Sequence, residues 1–452
     1  MYPAKGHYHA TLKMAALLKK AGHDVTYGVT AEYQKIVDDY GFQYKIWNPF
    51  LLIPFKALKI RNEGLFFITN LVNAISGSSL KEAQKRLNNL RFDIHQINPD
   101  LVLVDEQNVY KTLIYKLFGI NVMIFQTKPD TRRIEGIPPF TSYYLPTFKS
   151  YNNIYCNWLW AKKIFNSRIR FYWQKLVYFK QNDLCIYQEL AKSFGVNFLK
   201  EIEWERSFGK GVKGIPRLII SPKAFDFPHA EIKNVFRIGP LINIKRENRI
   251  QNPRYQSLIK KINAYKESGL IIYCSMGTVT GNDLKRYFRF VKKFIKVAVK
   301  SPTDLFILST GKYLNINQML PLSNNVILFE HLPQIDFLQY CDLMITHGGM
   351  NSINECIYNE VPMLVYPLSL KWDQPGNSAR VVFHGLGLRR KIDKDSVKNI
   401  KNKINQIRLQ YQVIKSNISQ MKVKFEEQNN STIIVEIIES QIASHIIKTE
   451  IN

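Results

Sequence analysis

Seven short apolar runs constrain this chain more than any other feature: "PDLVLVDE" (99–106), "NVMIFQ" (121–126), "GLIIYCSMGT" (269–278), "DLFILST" (304–310), "NVILFE" (325–330), "DLMITHGG" (342–349) and "PMLVYPLS" (362–369). Each is continuously apolar instead of alternating, as a strand buried on both faces of a parallel sheet must be. Helix-like segments lie between them. "ATLKMAALLKKAG" (10–22) has apolar residues at helical spacing with Gly22 as a stop, "HDVTYGV" then reads as a strand, and "VYKTLIYKLFGI" reads as a helix ended by Gly119. Strand, helix, strand at this rhythm predicts an α/β chain of doubly wound parallel sheets, with ligands at the carboxyl ends of the strands.

The chain has 452 residues, too many for one ordinary core. Between 235 and 254, "VFRIGPLINIKRENRIQNPR" loses periodicity and gains charge, Pro and Asn, which marks a boundary. We expect an N-terminal domain over 1–238, a linker over 239–255 and a C-terminal domain over 256–452, with a helical tail from about 400. Residues 130–215 are aromatic-rich and read as mostly helical. Five cysteines without CxxC spacing argue against a disulfide framework and a zinc site, and fit a reducing cytoplasm. No apolar stretch is long enough for a transmembrane helix, and "MYPAKGHYHA" lacks the apolar core of a secretory signal. The formal net charge of +27 is spread over dispersed lysines. It reads first as solvated surface and next as attraction to an anionic membrane; no pattern for binding nucleic acid accompanies it.

The run at 342–349 continues into "THGGMNSINE" (346–355), which places a strand end, a tight loop and the first turn of a helix in succession. Free backbone N–H groups and the helix dipole make such a point an anion site. Gly348 and Gly349 let backbone approach a phosphate, and His347 and Ser352 can donate to its oxygens. Asn351 and Glu355 share one helix face, while Ile353 and Ile357 share a face suited to the core. A carboxylate one turn beyond a phosphate site can accept two ribose hydroxyl protons, so the combination points to a nucleotide.

The surrounding stretch, 329–387, resembles the donor-binding signature of the large UDP-glycosyltransferase family, which includes plant natural-product, macrolide and carotenoid glucosyltransferases. The match runs in order through His-x-Pro-Gln, His-Gly-Gly-x-Asn-Ser-x-x-Glu, Val-Pro-Met and Asp-Gln. The resemblance implies the GT-B fold, two Rossmann-like domains facing each other across a cleft. It also implies a UDP-sugar as co-substrate and no other cofactor. By position, Gln334 would hold uracil and Glu355 the ribose, and His331 stands where many relatives stack a Trp on the base. His347, Asn351, Ser352 and Thr278 would hold the diphosphate, and Asp373 and Gln374 the sugar hydroxyls. The spacing from Pro367 to Asp373 exceeds the common pattern by two residues, which bears on the sugar; glucose is the expected one.

The family's base lies in an N-terminal Gly-His loop, resembled here by "PAKGHYHATLKMA", with His7 as base and Asp105 as its acidic partner. Transfer to an acceptor hydroxyl would then invert the anomeric configuration. The ordinary explanation of Asp105 is a helix N-cap. Asp393 and Asp395 form the only Asp-x-Asp string and read as helix-capping acids, so no metal is expected. The apolar aromatic segments 48–72 and 137–146 would line a pocket for a lipophilic hydroxylated acceptor of carotenoid or polyketide kind, met at the inner membrane face through the basic aromatic segment. Relatives carry a strand before the Gly-His loop, so a late start or a truncated gene is expected. A lipid-linked precursor glycosyltransferase and a non-catalytic nucleotide-sugar binder are the rival readings.

Overall fold

The parallel strands of the first half fall into two sheets. β1 (Thr26–Val29) pairs with β2 (Gln43–Ile46). β3 (Val102–Asp105) and β4 (Val122–Gln126) open a separate sheet; β5 (Ile202–Glu203) and β6 (Gly211–Val212) form a short antiparallel pair. β7 (Arg217–Ile219) and β8 (Val235–Arg237) complete the second sheet in the order β3-β4-β7-β8. The computed structural model describes residues 5–47, 73, 76–147, 149, 151–180, 183–242, 253–267, 269–277, 283–311, 322–428 and 431–451. The expected acceptor segment 48–72 and most of the expected linker therefore lie outside the described residues.

The main helices of this half are α1 (Lys5–Lys20), α2 (Ser78–Ile97), α3 (Val109–Leu117), α4 (Tyr151–Val177) and α5 (Asp183–Ser193). α1 packs on two sides. Ala10, Met14 and Leu18, four residues apart, join the core of the β3–β8 sheet through Met123, Phe125 and Leu218. Tyr8, Leu12 and Ala15 join β1 through Tyr27 and Val29. Burial of Tyr8, stacked on Tyr33 at 5.1 Å between centroids, draws the helix start back to Lys5. Gly6 and His7 accordingly lie in the first turn of a helix, not in the loop that the sequence suggested. Residues 130–147 also depart from the expected helicity: they carry no helix, because Pro138, Pro139 and Pro146 interrupt the backbone bonding.

The second half alternates regularly. It runs α6 (Pro253–Tyr265), β9 (Ile271–Ser275), α7 (Leu284–Val299), β10 (Leu305–Ser309), β11 (Val326–Phe329), α8 (Gln334–Leu338), β12 (Leu343–Thr346), α9 (Met350–Tyr358), β13 (Met363–Val365), α10 (Gln374–Phe383) and β14 (Gly387–Arg389). α11 (Val397–Leu409), α12 (Tyr411–Gln428) and α13 (Ser431–Ile451) form the helical tail. All strands are parallel in the order β11-β10-β9-β12-β13-β14. Every residue of β9 and β12 is buried, and each large apolar side chain so placed contributes about 1.5–3 kcal/mol. The strand order reverses between β9 and β12, which opens a crevice beyond their carboxyl ends. α13 follows this half in sequence but packs on the first, where Ile434 and Ile438 meet Met14, Leu18 and Met123.

Candidate active site

The loop after β12 lies at that reversal. Gly348 turns the chain with φ +85, and a Cβ there would meet Val365 Cγ1 at 2.8 Å. A Cβ on Gly349 would meet His347 Nε2 at 2.5 Å, and one on Gly277, just past β9, would meet His347 Cε1 at 2.5 Å. The imidazole is thus gripped between two glycines at the ends of the two strands that flank the crevice. Gly349 caps α9 and brings no side chain across the helix's first N–H groups, an arrangement that suits an anion. Burial drives the His347 imidazole down to about 4, against the opposing pull of the Asp373 carboxylate and the Ser275 backbone. At neutral pH the ring is uncharged and offers one N–H.

One turn along α9, three of the expected donor residues touch. Gln334 Nε2, at the start of α8, donates to Glu355 Oε2 at 2.7 Å and to Ser352 Oγ at 3.1 Å. Glu355 and Ser352 are buried, and Ile353 and Ile357 anchor the opposite helix face in the core, as the sequence spacing predicts. His331 stands apart: its side chain is 66% exposed, 3.7 Å from Glu330. Thr278 lies outside the described residues.

Asp373 and Gln374 border the same loop from α10. Asn377 Nδ2 donates to Asp373 Oδ2 at 2.9 Å and to the Gly348 carbonyl at 2.9 Å, which ties α10 to the glycine turn. Gln374 Oε1 accepts from the N–H groups of Leu368 and Ser369, both at 2.8 Å. Its carbonyl closes the lengthened 367–373 loop, and its amide nitrogen is the part left to meet a ligand. Asp393 and Asp395 do not cap α11 as the sequence suggested, since Ser396 takes that place and accepts from the Asn399 N–H; Asp393 instead pairs with Arg286 at 2.6 Å, and Asp395 Oδ2 accepts from Tyr366 at 2.8 Å.

The first half supplies a second cluster facing this one. His7 Nδ1 lies 2.6 Å from Asp105 Oδ2, at the carboxyl end of β3. Asp105 is 1% exposed, and its other oxygen accepts from the Gln107 N–H at 2.9 Å. The turn-capping role and the pairing with His7 therefore coexist, one on each oxygen. Burial alone would raise this carboxyl, but the charge and hydrogen bond of His7 and the Gln107 N–H outweigh it and hold the group at about 2. The two clusters meet where Asn351 Nδ2 donates to the Gly6 carbonyl at 3.3 Å. Asn351 is expected to bind diphosphate, and here it also ties the start of α9 to the turn that carries His7.

Sequence reasoning missed Lys128, two residues past β4. This buried ammonium pairs with Glu106 Oε1 at 2.7 Å, while Arg206 takes Glu106 Oε2 at 3.0 Å. Burial would lower it, yet the charges of Glu106, Asp373 and Asp105 hold it above the usual lysine value. It therefore sits in the field of both halves of the site. Its position at a strand's carboxyl end was the available signal.

The family profile described as "UDP-glucoronosyl and UDP-glucosyl transferase" matches residues 73–428. The chain belongs to this family. It is a UDP-sugar glycosyltransferase of GT-B fold. The NDP-glycosyltransferase YjiC of Bacillus subtilis (strain 168) is 25% identical over 394 residues, covering 85% of this chain and 82% of that one. The zeaxanthin glucosyltransferase of Pantoea ananas is 33% identical over 119 residues, 26% of each chain. Among solved structures, the glycosyltransferase of kitacinnamycin superposes with a TM-score of 0.68 at 18% identity, covering 97% of both chains. In this glycosyltransferase the α9 loop and the His7–Asp105 pair, read separately from the sequence, lie side by side, joined through Asn351 and Gly6.

Proposed function

We propose that this glycosyltransferase moves a hexose, glucose, from UDP to a hydroxyl of a lipophilic small molecule of carotenoid or polyketide kind, with inversion and without a metal. The 2.6 Å contact between His7 and Asp105, joined to the donor loop through Asn351, is the observation that carries the reading. Asp105 at about 2 is a carboxylate at neutral pH, so His7 Nδ1 donates the proton and Nε2 is left basic. Nε2 takes the acceptor's hydroxyl proton as that oxygen forms its bond to the anomeric carbon. The bond from that carbon to the UDP oxygen breaks on the opposite face.

Charge then grows on the departing diphosphate. The first N–H groups of α9, neutral His347 and Ser352 are fixed in advance for that charge, and such preorganised donors lower the barrier. Glu355 and Gln334 take the ribose and the base, with His331 at the base's outer side. Asp373 and the Gln374 amide take sugar hydroxyls. The zeaxanthin glucosyltransferase among the relatives supports glucose and a carotenoid-like acceptor. Five buried, unbridged cysteines agree with a cytoplasmic setting.

A mass-spectrometric screen of hydroxylated lipophilic metabolites with UDP-glucose tests this. A glucosylated product is expected, and His7→Ala should cut turnover about 10²–10⁴-fold while leaving UDP binding unchanged. Full turnover by His7→Ala would remove the assigned base. UDP binding with no turnover on any acceptor would favour the non-catalytic rival.

A further inference from the structure

α4 is 27 residues long and carries five basic residues and no acidic one. Its buried side is narrow: Cys156, Trp160 and Phe171 face the protein, and Trp160 Nε1 donates to the Ile137 carbonyl at 2.7 Å. The opposite side is apolar and open to solvent. Ile154, Trp158, Phe165, Tyr172, Trp173 and Leu176 are all exposed, Trp173 by 65% and Leu176 by 70%. At helical pitch these side chains fall within about 100° of arc. Arg170 and Lys163 border the arc on one flank, Arg168 and Lys175 on the other, and Lys162 lies within it, 5.2 Å from the Trp158 ring centroid.

We infer that this face of α4 is a docking surface for a lipid bilayer carrying anionic headgroups. Apolar side chains in the centre, aromatic rings among them and cations on both flanks match the layering of a bilayer interface. Charge decides among occupants. A second copy would bring two identical cationic rims together, whereas an anionic bilayer neutralises them. The surface continues into a basic recess: Tyr155 meets Tyr144 at 4.6 Å between centroids, and adjacent Tyr143 lines a cavity of about 250 Å³ with Arg389, Arg390, Lys391 and Lys394. A phosphate headgroup fits that lining. Docking on this face would bring residues 137–146, bolted to α4 through Trp160, next to the bilayer. The inference does not need sugar transfer to be correct.

Flotation of the full chain with phosphatidylcholine vesicles, with and without 30% phosphatidylglycerol (about one anionic lipid in three), tests it. Binding is expected to the anionic vesicles, weakening about tenfold or more on raising salt from 0.05 to 0.5 M, with a blue shift of tryptophan emission. The exposed-face variant Trp158→Ser/Trp173→Ser/Leu176→Ser should lose binding about tenfold or more while keeping its thermal melt and its affinity for UDP. Loss of UDP binding with vesicle binding intact would instead sink the transferase reading alone. Absence of vesicle binding, or binding indifferent to the triple variant, overturns the inference. So does a dimer in analytical ultracentrifugation that the same variant dissolves, since a second copy would then cover the face.

Discussion

Asp105 gives one oxygen to His7 and the other to the Gln107 N–H, so its charge is fixed from two sides. Asp105→Asn keeps the shape but removes the charge that sets the His7 tautomer. Turnover is expected to fall about 10²–10⁴-fold with UDP affinity unchanged, measured by steady-state kinetics and calorimetry. The same carboxyl affects acid stability. Its folded value of about 2 lies below the unfolded one, so its contribution is full above about pH 4 and is lost as pH falls towards 2. His347 acts in the same direction at higher pH: folded at about 4 and unfolded near 6.5, it costs stability as pH falls between them. Urea midpoints from pH 7 to about 2 should therefore decline in two stages, the first from His347 and the second from Asp105. Gly277→Ala tests the grip on His347. Its φ of +64 and the predicted collision with the ring should weaken UDP binding about tenfold or more while the fold persists.

At the scale of elements, α1 decides whether His7 reaches Asp105. Leu12 and Met14 lie on its two packed sides, so Leu12→Ala or Met14→Ala should each cost about 2–5 kcal/mol in denaturant unfolding. The same variants should lower turnover beyond the loss of folded protein, because the His7–Asp105 distance depends on both sides being seated. Elements with long apolar runs were legible in the sequence for a simple reason: β4 and β9–β13 are buried almost throughout, β3 at its carboxyl end, and continuous apolarity is the mark of that. Others left no such mark. β14 has three residues and begins at a glycine, β5 and β6 have two each, and α1 starts a turn early because Tyr8 finds a tertiary partner in Tyr33. Within the site, the α9 loop was legible because one local stretch holds its chemistry. Lys128 was not, because its role depends on Glu106, Asp373 and Asp105, which only the folded chain gathers.

The whole molecule is held together across its halves by a buried ion cluster. Arg380 of α10 donates through Nε and Nη2 to Asp226 Oδ1 at 2.9 and 2.6 Å, and stacks over Phe140 at 4.0 Å and Phe227 at 4.3 Å. Burial would raise the Asp226 carboxyl, but Arg380, His229 and Arg237 hold it far below the usual range. Arg380→Ala strands that carboxylate and should cost about 3–5 kcal/mol, read as a lower urea midpoint. Gly376 belongs to the same junction, since a Cβ there would meet the Phe140 backbone at 2.7 Å. The cluster fixes α10, which borders the β12–α9 turn, against the first half of the chain.

Calorimetric titration of UDP into the folded full-length protein, beside Glu355→Ala, bears most directly on the central claim that a sugar nucleotide rests at the β12–α9 turn with its ribose one helical turn on. Saturable one-to-one uptake by the native chain is expected, with a loss of about tenfold or more in the variant. No uptake, or equal uptake by both, would contradict that claim.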